Sequence, residues 1–234
     1  MFKLKNWKLS LLALLLFCLF IALGVWQLNR AQQKQALLNA FAQHAQLPPH
    51  SIQSLNHLND QRFYRVLLKG NFDNAHTFLL DNKTFHQQVG YEVYTPFKAA
   101  GIEKAILVDR GFIPLGSNRQ ILPTVPAVLG ERTIVGLLNL PPTYFALGSI
   151  NENAAIRWPL RIGYIVLPEL EKLLPYSLAT DVLNLDPKDP AAFSIEWQIV
   201  IMGPERHQAY AVQWFAFALT LLILFVMLNR QRVK

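Results

Sequence analysis

Two runs of about twenty apolar residues, one near each end, dominate the sequence. Leu9 to Leu28 carries only Ser10 and Gln27 as polar side chains, and Ala209 to Leu228 is broken only by Gln213 and Thr220. Twenty helical residues rise about 30 Å, one hydrocarbon thickness, so each run is long enough to cross a bilayer. The expected organisation is a tail at 1–8, a membrane helix at 9–28, an external segment at 29–208, a second membrane helix at 209–228 and a tail at 229–234. The first run exceeds the 7–15 residues of a signal-peptide core and no A-x-A-like cleavage site follows it, so an uncleaved anchor is expected.

Charge gives the orientation. Of 22 Lys and Arg, six lie in the tips: Lys3, Lys5 and Lys8 before the first run, and Arg230, Arg232 and Lys234 after the second. Arg30, Lys34 and Arg206 are fewer on the other sides, so both termini are expected in the cytoplasm and the segment between them outside. Eight residues ahead of the anchor leave no room for an organelle transit peptide, which makes a bacterial plasma membrane, with the central segment in the periplasm, the expected location. The formal charge of +7 falls to +1 once the tips are set aside. Without a basic stripe, nucleic acid is not an expected partner.

The external segment starts helical, with Ala31, Lys34, Leu37, Leu38 and Phe41 in register until Pro48 and Pro49. The period then changes to two. Tyr64, Val66 and Leu68 alternate with Arg65 and Lys69, Tyr91 and Val93 flank Glu92, and Ile195, Trp197, Ile199 and Ile201 alternate with Glu196 and Gln198. Ala105 to Val108 and Ile134 to Leu138 are denser apolar runs, and Pro168 to Leu174 reads as one short helix. The fold class is therefore a membrane α+β protein: two membrane helices bracketing one mainly antiparallel external domain of five to seven strands.

Catalytic signatures are missing: there is no GxGxxG, P-loop, HExxH or GxSxG. Cys18 is the single cysteine, and none of His44, His50, His57, His76, His86 and His207 pairs with another at i, i+4. No enzyme is expected.

Three constellations remain. In GVWQLNRAQQK, Trp26, Arg30 and Lys34 share a helical face, which serves either as an interfacial anchor or, with Gln27 and Arg30, as a receiver for a partner or a ligand's carboxylates. In VDRGFIP, a strand is expected to end at Asp109 and Arg110 before Gly111, with a bulge or close approach at the glycine and an Asp–Arg pair at the strand end. In HQAYAVQWFAFA, His207, Tyr210, Ala211, Trp214 and Ala218 form one stripe, an imidazole and two rings around a shallow slot left by the alanines. The imidazole either bonds lipid headgroups or ligates haem iron.

Taken in order, GVWQLNR, RFYRVLLKGNF, GYEVYTPF, VDRGFIP and HQAYAVQWFAFA resemble the motifs of the surfeit locus protein 1 family of cytochrome c oxidase assembly factors. The resemblance runs from Gly24 to about Ala218. It implies a non-catalytic role in which haem a is delivered to the large catalytic subunit of the oxidase, alongside proteins that synthesise or deliver haem a. It also implies that His207 is the axial ligand to haem iron, which would set Tyr210 and Trp214 of the same stripe beside the haem; Trp26, Gln27, Arg30, Arg110 and Gly111 are the candidate partner or interface positions. Two other roles fit the same helices and strands: a haem-free scaffold that stabilises an oxidase subunit, and an extracytoplasmic sensor.

Overall fold

The alternation at Tyr64–Leu68 does become a strand, and its neighbours explain the denser apolar runs. The computed structural model describes residues 7–55, 60–116, 118–142, 156–197, 199–200 and 202–229. Lys3, Lys5, Arg230, Arg232, Lys234, His57, Gln198 and Ile201 lie outside the described residues. The chain divides into two compact units, one made of 1–40 and 198–234, the other of 41–197.

In the second unit, β1 (Arg65–Phe72) buries Val66, Leu68, Gly70 and Phe72 and turns Leu67 and Lys69 outward, the phase expected from the sequence. It is followed by β2 (Phe78–Phe85), β3 (Gln88–Ala99), β4 (Ala105–Pro114), β5 (Arg132–Asn139), β6 (Leu160–Ile162), the short helix α2 (Leu167–Glu171) and β7 (Leu178–Leu185). The strand order is β1-β5-β7-β4-β3-β2-β6, and an added β1–β3 pairing closes β1, β5, β7, β4 and β3 into a barrel-like ring. Two pairs, β2–β6 and β4–β7, are parallel; the others are antiparallel.

Strand β4 is apolar throughout because it feeds two cores. Ile106 and Val108 join Val66, Leu68, Phe97, Ile134 and Leu183 in one cluster. The alternate residues Ala105 and Leu107 join Phe78, Tyr94, Ile162 and Leu170 in a second cluster, to which α2 contributes Leu170. A strand buried on both faces loses its polar alternation, which is why AILV reads as a continuous run.

Two expectations change. Strand β4 does not end at Arg110 but continues to Pro114 through a bulge, because Tyr94 opposes Asp109 and Val93 opposes Gly111, leaving Arg110 as the extra residue. Among the described residues, the alternating segment after Phe193 forms one isolated bridge, Phe112 with Ser194, and no strand. Pairing with β7 ends at Asp109, so the edge of β4 is open only briefly, and Phe193 and Ser194 take it through bonds of 2.6 and 2.7 Å.

Helix α1 begins at Trp7 and runs to His44, with all but its last four residues in the first unit, and α3, in the same unit, covers Pro204–Asn229. Both are long and apolar enough to cross a membrane. Helix α3 starts five residues before the apolar run, with proline first and Glu205 in the opening turn, where an acid complements the helix dipole. His207 therefore sits on the first turn of a helix and not before it.

Candidate functional site

Within the first unit, α1 and α3 meet through small residues. A side chain at Gly24 would collide with the Phe215 ring at 2.5 Å. Four residues before Phe215, Ala211 is buried, and four before that the His207 Nδ1 lies 2.7 Å from Gln27 Oε1. Farther along, Phe20 stacks on Trp214 at 5.8 Å and tilts against Phe217 at 6.0 Å. The stripe His207, Ala211, Phe215 thus faces Gln27 and Gly24 in antiparallel register, as small residues permit close helix approach in a membrane. This corrects the expected slot: Ala211 and Ala218 are each 1% exposed, so they are packing positions and leave no groove.

The Gln27–His207 bond fixes the chemistry of the imidazole. An amide oxygen can only accept, so Nδ1 donates this bond, and in the neutral ring Nε2 is then the nitrogen that holds the lone pair. This is the arrangement that metal-binding histidines adopt, in which the non-ligating nitrogen donates to a neighbouring oxygen. Tyr210 is exposed, while Trp214 is part-buried against Phe20.

Gln27 and Arg30 turn to different partners. Arg30 lies over the exposed Trp26 ring at 5.7 Å and donates to Gln33 Oε1 at 3.0 Å, whereas Gln27 is turned to His207. Sequence spacing grouped Gln27 with Arg30; its pairing with a residue 180 positions away had no local signal.

In the second unit, VDRGFIP places two charged residues in the interior, Asp109 at 4% and Arg110 at 2% exposure. They do not pair with each other, which corrects the expected ion pair; adjacent residues of a strand point to opposite faces. Asp109 accepts the Gly111 N–H at 2.9 Å, on the side where Lys83 and Glu92 form an ion pair at 2.6 Å. Burial, then the charge of Glu92, pushes the Asp109 carboxyl well above the usual carboxylate range. Arg110 is gripped between the rings of Phe193 (4.8 Å) and Phe72 (5.4 Å), and donates from Nε to Ala191 O at 2.9 Å and from Nη2 to Pro126 O at 3.3 Å. Burial pulls its pKa down to about 10, against the opposing pull of Asp189, and it remains a cation at neutral pH. Gly111 has φ +100°, and a Cβ there would meet Ser194 O at 2.8 Å, so both the bulge and the close approach expected of it are present.

A family model described as the SURF1 family matches residues 14–219, from within α1 across all three constellations to within α3. The chain belongs to the SURF1 family. It is 27% identical over 235 residues to a SURF1-like protein of Rickettsia felis, covering 97% of this chain and 99% of that one. It is 22% identical to surfeit locus protein 1 of Takifugu rubripes, covering 82% of this chain and 85% of that protein, and 26% identical to the Mus musculus protein of that name, covering 82% and 66%. For this SURF1-family chain the matched segment contains Trp26, Gln27, Arg30, Arg110, Gly111, His207, Tyr210 and Trp214. Among the described residues no group of three or more His, Cys, Asp or Glu is placed to hold a metal ion.

Proposed function

We propose that this SURF1-family protein is a non-catalytic assembly factor for cytochrome c oxidase, which holds haem a as cargo on its way to the large catalytic subunit. The observation that carries this reading is the Gln27–His207 bond, which orients the ring and leaves Nε2 able to ligate iron. The exposed Tyr210 and Trp26 and the cation of Arg30 are available beside the helix ends to a flat, carboxylate-bearing macrocycle or to a partner's helix. The protein works in a bacterial plasma membrane with both termini cytoplasmic, the central domain periplasmic, and haem a synthesis or delivery proteins as further partners.

The test is the absorbance of the full chain purified from cells that make haem a. His207→Ala removes the ligand near a helix end that water and headgroups still reach, so it accumulates normally and loses the Soret band. Gln27→Leu keeps the ligand but frees the ring, and lowers haem occupancy through a 10- to 100-fold loss of affinity. His44→Ala, whose ring stacks on Tyr64 at 4.0 Å in the other unit, changes nothing. Full haem content in His207→Ala overturns the ligand assignment. A parent protein that never carries a Soret band favours the haem-free scaffold, the reading that the closed Ala211–Ala218 face supports.

A further inference from the structure

The two apolar runs hold few polar side chains, and those few are not treated alike by the fold. Gln27 on α1 is turned to α3 and bonded to His207 at 2.7 Å. Gln213 and Thr220 on α3 are exposed and have no hydrogen-bond partner among the described residues. Both lie in the helix that is long and apolar enough to cross a membrane, where no water replaces a missing partner. Thr220 is about 16 Å along the helix from Ala209, the start of the apolar run, or about half of a hydrocarbon core about 30 Å thick. Polar side chains placed inside a bilayer serve as glue between helices or line a functional path.

Both residues sit on one seam. Ala209, Gln213, Ala216, Thr220, Ile223 and Met227 follow one another at alternating intervals of four and three, the repeat of a left-handed helix pair, and all six are exposed. The face of α3 that meets α1 is the other one. Ala211 and Ala218 are buried there, and each is two residues, a rotation of about 200°, from a seam position. In its outer half the seam is shallow, because Ala209 and Ala216 are small while Val212 and Phe217 on either side stand 67% and 52% exposed. A groove floored by alanines is the shape that lets a second helix approach closely in a membrane.

We propose that this seam binds the same seam of a second copy of the chain, so that two α3 helices pair in parallel within the membrane. Every copy is inserted the same way round, and a two-fold axis along the membrane normal sets each seam residue against its own counterpart. A carboxamide both donates and accepts, so two Gln213 side chains that meet across the axis satisfy each other through reciprocal N–H···O bonds. The Thr220 hydroxyl also donates and accepts, and meets its counterpart one heptad deeper. A helix of another protein would need matching polar groups at both depths, whereas a second copy carries them by symmetry. Polar residues in an otherwise apolar seam also fix its register. Helix α1 keeps its place on the far face and the Gln27–His207 bond is untouched, so the proposal does not rest on the haem reading.

The experiment is sedimentation equilibrium of the purified full chain in a density-matched non-ionic detergent, with disulfide cross-linking in native membranes to test the geometry. The parent is a monomer–dimer system. Gln213→Leu is more apolar and inserts at least as well, yet it raises the dimer dissociation constant at least about fivefold. In a Cys18→Ser background, which removes the single native thiol, oxidation joins Ala216→Cys to its counterpart. Leu222→Cys, exposed and two residues beyond the seam position Thr220, stays monomeric. A parent that is monomeric at every protein-to-detergent ratio, as it is if Gln213 only reaches up to headgroups, overturns the proposal. Undiminished dimerisation of Gln213→Leu overturns it too, as does equal cross-linking of the two cysteine variants. Cross-linking of Ala216→Cys to a different protein, and never to itself, assigns the seam to a foreign helix and also overturns it.

Discussion

Replacing Gly111 by alanine adds one methyl group in a place that rejects it for two separable reasons. The φ of +100° lies where an L side chain crowds its own backbone, at a cost of about 1–2 kcal/mol. The new Cβ also lies 2.8 Å from Ser194 O and 3.0 Å from Ile195 Cβ, and forcing atoms into packed space costs a further 1–3 kcal/mol or so. Relief by moving Ser194 would stretch the 2.7 Å bond from the Phe112 N–H, so the collision is not cheaply avoided. The sum is about 3 kcal/mol, which for a domain of this size lowers the unfolding midpoint by roughly 6–12 °C. Gly130 provides the internal reference, having φ +75° with nothing within 4 Å of a built Cβ: Gly130→Ala carries the conformational cost alone, about 1 kcal/mol and a few degrees. Tryptophan fluorescence of the full chain in detergent, heated at one fixed rate, measures all three proteins. A Gly111→Ala midpoint within 2 °C of the parent, or above that of Gly130→Ala, refutes the reasoning. Gly111→Glu adds a carboxylate to the same crowded place and lowers the midpoint further.

Two more outcomes are expected. Asp109→Asn keeps an oxygen for the Gly111 N–H and removes the buried charge. Because the folded carboxyl titrates above its unfolded value near 3.9, its penalty is absent at low pH and grows as pH rises, so the variant melts above the parent at pH 8 and the gap closes towards pH 4. A gap independent of pH contradicts the titration. For topology, a phosphatase fused after Pro126 is active and one fused after Lys234 is inactive, as the Lys and Arg distribution requires; the reverse pattern places the domain in the cytoplasm.

What could be read from the sequence was whatever a single segment decides for itself. The two long helices follow from unbroken apolar length, and the phases of β1 and β3 from their own alternation. Strand β2 escaped because FLL runs straight into DNKTF, where Asn82 adopts φ +58° and the pairing with β3 shifts register. Strand β7 escaped because LATDVLNL is half exposed at one end and buried at the other. Conversely, the alternation from Ile195 promised a strand that is not found among the described residues, since alternation says nothing about whether a neighbouring edge is free. The candidate site divides in the same way. His207 stood out from its own motif, while its partner Gln27, the Phe72–Phe193 clamp on Arg110 and the carbonyls of Pro126 and Ala191 come from distant segments that only the fold brings together.

The place of β7 has a consequence for how the domain is made. It is the last strand among the described residues, yet it lies within the ring, between β5 and the parallel β4. Until residue 185 has emerged, β4 and β5 each present an unpaired edge to whatever is near, and the newly made chain has to be shielded from edge-to-edge association. Closure also demands contacts between segments some 70 residues apart, which slows it. A ribosome stalled or a message cut short anywhere before β7 therefore yields an open, sticky sheet instead of a smaller working domain. Nonsense alleles that spare most of the coding length should behave as complete losses, cleared by proteases long before the second membrane helix could have been reached.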